Sequence, residues 1–332
     1  MSRIGVLGAG SWGTTLADLL VRKGHEVRIW AHEADVIESI NARHVNPAFL
    51  PGCSLASDLH GESSAVKAVA GCGVVLSVAP SHVFRQVVTA ARPGIAPGAL
   101  VVSATKGIEP GTLRLMSQVL EELLPGHPIA ALSGPSFALE VYQGQPTAVV
   151  AAARAATTAA AVQEVFATPR FRVYSNSDTI GVELAGALKN VIAIAAGILE
   201  GLGLGNNPRA ALITRGLAEM TRLGVAMGAE PLTFAGLAGM GDLILTTTGA
   251  LSRNRALGVA LAQGHSLADH QSTHRSVAEG ATTARAALSL AAHVGVELPI
   301  CAQVSAILYD GKPAEQAVAE LMERTLKAEQ WR

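Results

Sequence analysis

Lys189 lies within Leu184-Ala-Gly-Ala-Leu-Lys189-Asn190-Val-Ile-Ala-Ile-Ala196, a stretch whose apolar residues would cover nearly every side of a helix. Burial lowers an ammonium pKa toward the range useful for proton transfer, so Lys189 would give a proton to a carbonyl oxygen as hydride arrives and take it back in the reverse direction. The plainer reading is a lysine that reaches the surface along its methylene stem, or one paired with a buried acid such as Glu183. A second lysine, Lys106, follows the apolar run ending Val102-Ser103-Ala104-Thr105 and precedes Gly107. At the carboxyl edge of a strand it would meet ligand charges; elsewhere it would be a solvated loop lysine. Asp242, in Gly239-Met-Gly-Asp242-Leu243, would hold a substrate hydroxyl or orient Lys189, and as a turn aspartate would do neither. Ser252-Arg253-Asn254-Arg255 leads into an apolar helical run. Arginine forks, an asparagine amide and a Ser-capped helix N-terminus suit a phosphate dianion; capping plus surface arginines is the alternative.

These groups need elements that hold them. Gly8-Ala9-Gly10-Ser11-Trp12-Gly13 follows one short apolar run, Ile4-Gly5-Val6-Leu7, and opens directly into the amphipathic stretch Thr14 to Lys23. Strand, tight glycine turn and helix N-terminus together form a phosphate cradle for a dinucleotide, because backbone N–H groups and the helix dipole meet the pyrophosphate. A further strand over Glu26–Trp30 ends before Ala31-His32-Glu33. His32 would face the 2′-phosphate of NADP or simply close the strand end, while Glu33 would repel that phosphate, so both NAD and NADP stay open. Ser133-Gly134-Pro-Ser136-Phe-Ala138 also follows a strand: Gly134 permits close backbone approach, and Ser136 offers a hydroxyl or an N-cap.

Further strands are expected at Gly73–Val78, Ala99–Ser103, Pro128–Leu132 and Thr147–Ala151, with helices between them. This alternation predicts an α/β fold, an N-terminal doubly wound Rossmann-type parallel sheet over residues 1–178. From about Asp178 the text turns Ala-, Leu- and Gly-rich with helical periodicity, predicting an all-helical C-terminal domain over 179–332 that binds substrate. Alanine-rich Ala151–Ala161 reads as a strand end plus a helix.

At 332 residues with a net charge of −1, the chain has no global attraction for nucleic acid or an anionic membrane. Cys53, Cys72 and Cys301 are odd in number and scattered, which fits a reducing compartment such as the cytoplasm and no cysteine zinc site. The greasiest stretches, Leu184–Leu199 and Ala148–Ala161, are broken by Lys189 and Asn190 or by Arg154, so no membrane span is expected. His270 and His274 have metal-like i,i+4 spacing without an evident third ligand, and read as loop histidines. No metal is called for.

Taken together these motifs resemble the bacterial type of NAD(P)-dependent glycerol-3-phosphate dehydrogenase, nearly end to end. The resemblance rests on Gly8-Ala-Gly-Ser-Trp-Gly13, Ala104-Thr-Lys-Gly-Ile-Glu109, Leu132-Ser-Gly-Pro-Ser-Phe-Ala138, Leu188-Lys-Asn-Val191, Gly239-Met-Gly-Asp-Leu-Ile244 and Leu251-Ser-Arg-Asn-Arg255. It implies reversible hydride transfer between NAD(P)H and dihydroxyacetone phosphate, feeding glycerophospholipid synthesis, with Lys189 as proton donor and acceptor. Lys106, Gly134, Ser136, Asp242, Ser252, Arg253 and Asn254 match the family's substrate positions. Ser11, Trp12, His32, Lys106, Ala138 and Arg253 match its cofactor positions, as do Val277 and Glu279, which pattern alone would pass over. Pro208 and Gly249 depart from the family in loop detail. Other two-domain dehydrogenases, of the 3-hydroxyacid or 6-phosphogluconate type, would share the fold and a helical lysine, and a non-catalytic dinucleotide sensor would share the glycine turn. The arginine cluster favours a small phosphate ester, and a homodimer is expected from the apolar helical half.

Overall fold

The computed structural model describes residues 1–273, 278–326 and 328–329. Its first half is built on ten strands: β1 Arg3–Leu7, β2 Glu26–Trp30, β3 Val45–Asn46, β4 Leu50–Ser54, β5 His60–Glu62, β6 Val74–Ser77, β7 Leu100–Ser103, β8 Ile129–Ser133, β9 Thr147–Ala152 and β10 Phe171–Asn176. Eight of them form one sheet in the order β10-β9-β8-β7-β6-β1-β2-β5, and β3 pairs with β4 as a separate hairpin. Neighbours from β8 through β5 run parallel; β9 is antiparallel to β8 and parallel to β10. The sheet is therefore mostly parallel, and all six strands expected from sequence lie in it.

The central strands read as continuous apolar runs because helices cover both faces, leaving no solvated side to mark by alternation. Ile4, Val6, Ile29, Leu76 and Val102 are buried in one cluster with Leu16 and Leu20 of the helix Ser11–Arg22. That helix stops where Gly24 turns the chain at φ +97°, a left-handed conformation suited to glycine. Chain order reverses between β1 and β6, so a crevice opens there at the carboxyl ends of the strands.

After β10 the described chain is helical. Asp178 caps the helix Thr179–Gly201, accepting the N–H of Gly181 at 2.8 Å, and also accepts that of Glu230 at 2.9 Å. Thr179–Gly201 is apolar all round because it is surrounded. It is long and apolar enough to cross a membrane, yet its most apolar window is wholly buried within the protein. Against it lies Arg253–Ala262, brought unusually close by two glycines. A Cβ on Gly197 would fall 2.0 Å from the carbonyl of Arg255, and one on Gly258 would fall 2.0 Å from that of Ile194. Contact this tight fixes the height of Lys189 relative to Arg253 and Asn254.

Candidate active site

The glycine turn between β1 and the helix Ser11–Arg22 contains three glycines required for three different reasons. Gly8 has φ +112° and presses on the chain at Val78. A Cβ on Gly13 would lie 1.9 Å from the carbonyl oxygen of Gly8, so only glycine lets the helix start this close to the turn. Gly10 is unlike either: nothing among the described residues lies within 4 Å of where its Cβ would be. Gly10 is also the N-cap, and no side chain caps the helix behind it. The first-turn N–H groups thus face a space that a Cβ would enter, which is the cradle a pyrophosphate requires, and the residues present fit NAD(P). Gly10→Val should consequently leave the melting temperature nearly unchanged and weaken NADPH binding by about 1–3 kcal/mol, the usual cost of overpacking. A fluorescence titration beside a thermal melt checks both; lost stability with unchanged affinity would place the dinucleotide elsewhere.

The neighbours of the turn are mostly committed to structure. The hydroxyl of Ser11 donates to the carbonyl of Phe49 at 2.5 Å. Trp12 is half-buried beside Phe171, and its indole N–H has no acceptor among the described residues. His32 is exposed beyond the end of β2. Ala138 opens the helix Ala138–Tyr142 and accepts the hydroxyl of Thr15 at 3.2 Å through its carbonyl. The N-cap there is Phe137, so Ser136 is no cap: it is half-buried and donates back to the carbonyl of Gly134 at 3.0 Å.

Across the crevice the chemistry converges on Asp242. The Nζ of Lys189 donates to Oδ1 of Asp242 at 2.8 Å and to Oγ1 of Thr246 at 2.6 Å. The Nζ of Lys106 donates to Oδ2 of the same carboxylate at 2.7 Å and to the carbonyl of Gly134 at 2.9 Å. Lys189 is 6% and Asp242 1% exposed, so this is an interior bridge and neither side chain reaches the surface. Each ammonium carries three N–H donors and uses two, leaving one from each for a ligand. Burial pushes the Lys189 pKa down to about 8; Asp242 opposes the shift, while the like charges of Lys106 and Arg253 add to it.

The acid offered by the sequence as a partner for Lys189 serves elsewhere. Glu183 accepts the backbone N–H and the hydroxyl of Ser117, and burial raises its pKa to about 7. Gly186, one helical turn before Lys189, explains how the helix reaches the strand ends: a Cβ there would lie 2.7 Å from the hydroxyl of Ser133. Asn190 donates to the carbonyls of Gly186 and Lys106 at 3.4 and 3.5 Å, tying the two lysine-bearing segments together.

The arginine cluster divides. Ser252 caps Arg253–Ala262 by accepting the N–H of Arg255 at 3.2 Å. Arg255 pairs with Glu200 and donates to the carbonyl of Gly249 at 3.1 Å, so it braces the helices. Asn254 donates to Asn190 at 2.9 Å and accepts the N–H of Gly280 at 3.0 Å. Arg253 alone of the four has no hydrogen bond or ion pair with the described residues, although its side chain is accessible. Protein crowding pushes its pKa down, opposed by the charge of Glu279. Val277 and His274 lie outside the described residues. Sequence reasoning passed over Thr246, Asn190 and Ser81; only Thr246 carried a usable signal, its i,i+4 spacing from Asp242 on one helix face.

Residues 3–159 match the family described as NAD-dependent glycerol-3-phosphate dehydrogenase N-terminus, and residues 178–319 match its C-terminus counterpart. The chain belongs to the NAD-dependent glycerol-3-phosphate dehydrogenase family. A glycerol-3-phosphate dehydrogenase (NAD(P)+) of Geobacter sulfurreducens is 57% identical over 332 residues, covering 99% of each chain. The crystal structure of glycerol-3-phosphate dehydrogenase from Coxiella burnetii matches with a TM-score of 0.94 at 42% identity, covering 97% of this chain and 99% of that one. The Saccharomyces cerevisiae glycerol-3-phosphate dehydrogenase matches at 26% identity with a TM-score of 0.79, covering 97% and 99%. Both solved structures match the fold just described over 97% of this chain, so the convergence on Asp242 lies within a dehydrogenase scaffold.

Proposed function

We propose that the protein interconverts sn-glycerol 3-phosphate and dihydroxyacetone phosphate with NAD(P)+ or NAD(P)H, supplying glycerol phosphate for membrane lipids. The observation that carries this reading is the bridge from buried Lys189 through buried Asp242 to Lys106, beside an Arg253 that has no ion pair among the described residues. Residues 1–178 would hold the dinucleotide, through Gly8, Gly10, Gly13 and their neighbours, and 179–332 the phosphorylated substrate. When bound, NAD(P)H supplies the hydride for the C2 carbonyl of dihydroxyacetone phosphate. Lys189 gives its remaining N–H proton to the developing alkoxide, while Asp242 and Thr246 fix the direction in which that proton points. Arg253 grips the phosphate with Ser252 and Asn254 at the same helix start, so the distant end of the substrate positions the reacting carbon. Lys106, Gly134 and Ser136 close the opposite side. The chain is also assigned to the cytoplasm, in keeping with its buried free thiols, and to a homodimer.

The test is loss of reduced-nicotinamide absorbance with dihydroxyacetone phosphate, NADPH and NADH run side by side. Turnover is expected; none, despite demonstrated cofactor binding, would send the search to another substrate. The same assay carries a pH prediction. Reduction needs Lys189 protonated, so kcat/KM should be level below about pH 8 and fall above it, whereas oxidation should rise toward that pH. Asp242→Asn removes the charge that favours the ammonium, so the falling limb should move to lower pH. A limb that stayed put would uncouple it from Lys189.

A further inference from the structure

Ser81 lies in the turn beyond β6, on the sheet side of the crevice. Its backbone N–H donates to Oε1 of Glu279 at 3.0 Å, and its hydroxyl donates to Oε2 at 2.5 Å. One small residue thus takes both oxygens of a carboxylate that opens the helix Glu279–His293 in the other half of the protein. The junction has no slack. A Cβ on Gly107, the residue after Lys106, would lie 2.5 Å from the Cβ of Ser81 and 2.9 Å from Oε2 of Glu279, so a glycine is needed for the two to meet.

The two segments meet where Asn254 accepts the backbone N–H of Gly280 at 3.0 Å, which sets their chain neighbours Arg253 and Glu279 close enough for each charge to act on the other, with His82 adding to the field at Glu279; yet Arg253 and Glu279 form no ion pair. A carboxylate and a guanidinium within reach of each other tend to close into a two-bond pair, and that pair would occupy the fork a phosphate needs. We propose that Ser81 is a positioning residue: by holding both oxygens of Glu279 it keeps that acid off Arg253 and leaves the guanidinium open to the phosphate of the substrate. The inference rests on the reading of Arg253 as the phosphate ligand, and it assigns a task to a residue that touches no reacting atom.

Ser81→Ala removes the hydroxyl and keeps the backbone donor, freeing one carboxylate oxygen to turn toward Arg253. At saturating NADPH, KM for dihydroxyacetone phosphate should rise roughly tenfold, the weight of one charge-assisted hydrogen bond, with kcat changing far less. Glu279→Gln removes the competing charge, so in that background Ser81→Ala should raise KM no further. Arg253→Ala is measured alongside. If it raises KM while Ser81→Ala does not, the positioning role is wrong and the phosphate reading stands. If Ser81→Ala lowers kcat and melting temperature equally in both backgrounds, Ser81 is merely structural and the proposal falls. If Arg253→Ala itself leaves KM unchanged, the phosphate site is elsewhere and the proposal falls with it.

Discussion

Lys189→Ala is expected to lower kcat by about 10²–10⁴-fold, the range that a positioned proton donor contributes, while NADPH still binds. The fold should survive because Asp242 keeps a cation: Lys106 donates to its other oxygen at 2.7 Å, so the buried carboxylate is not orphaned. Stability should nonetheless drop by about 2–5 kcal/mol, as for other large-to-alanine changes inside a packed core, since the lysine stem is buried in a helix enclosed on every side. Lys189→Met separates the two effects. Its apolar side chain refills the stem's volume, and should recover part of the melting temperature without recovering turnover. An alanine cavity can also admit a water that donates in place of the lysine, so the methionine variant should be the slower enzyme. Single-turnover absorbance, a cofactor fluorescence titration and calorimetry give the three readouts. A methionine variant that turned over within about tenfold of the native rate, well inside the range for proton transfer, would remove Lys189 from the role.

Which parts of this arrangement could be read from sequence follows from where each signal comes from. The six strands expected lie in the sheet because buried parallel strands are runs of apolar residues, a signal that needs no knowledge of neighbours. β10 escaped because it is an edge strand, half-exposed, with Phe171 and Val173 buried and Arg172 and Tyr174 outward; it lay just before the point at which helical periodicity took over. β5, only His60–Glu62, is too short and polar to announce itself. At the site, Lys189 stood out because a cation in an apolar helix is anomalous on its own. Its partner could not be chosen that way. Glu183 and Asp242 are both acids in reach by sequence, and only the packing of Asp242–Thr248 against Thr179–Gly201 selects the second. The same holds for Arg253 and Arg255, adjacent but one in spacing: one helix position meets Glu200, while the other finds no ion pair among the described residues. Ser81 was invisible because its meaning lies wholly in a residue 198 positions away.

Arg253→Ala should raise KM for dihydroxyacetone phosphate by roughly 10–10²-fold, from about 1.5–3 kcal/mol for hydrogen bonds to a charged group. The effect should fall mainly on KM, because the phosphate is remote from the carbonyl being reduced and its contacts are shared by bound substrate and transition state. Arg253→Lys should recover only part of the loss, since an ammonium keeps the charge but not the planar fork. Arg255→Ala is the internal control: it breaks the pairing with Glu200 and the bond to the carbonyl of Gly249, and so should lower the melting temperature without a selective rise in KM. A second consequence of Arg253→Ala is electrostatic. The guanidinium is one of the like charges that hold the Lys189 pKa down at about 8. Without it the ammonium is less opposed, its pKa rises, and the alkaline limb of the reductive profile moves to higher pH, opposite to the shift expected for Asp242→Asn. Substrate affinity and proton affinity are thus read from one variant by two independent measurements. An unchanged KM together with an unmoved limb would place the phosphate away from this helix start and leave Arg253 as a surface cation.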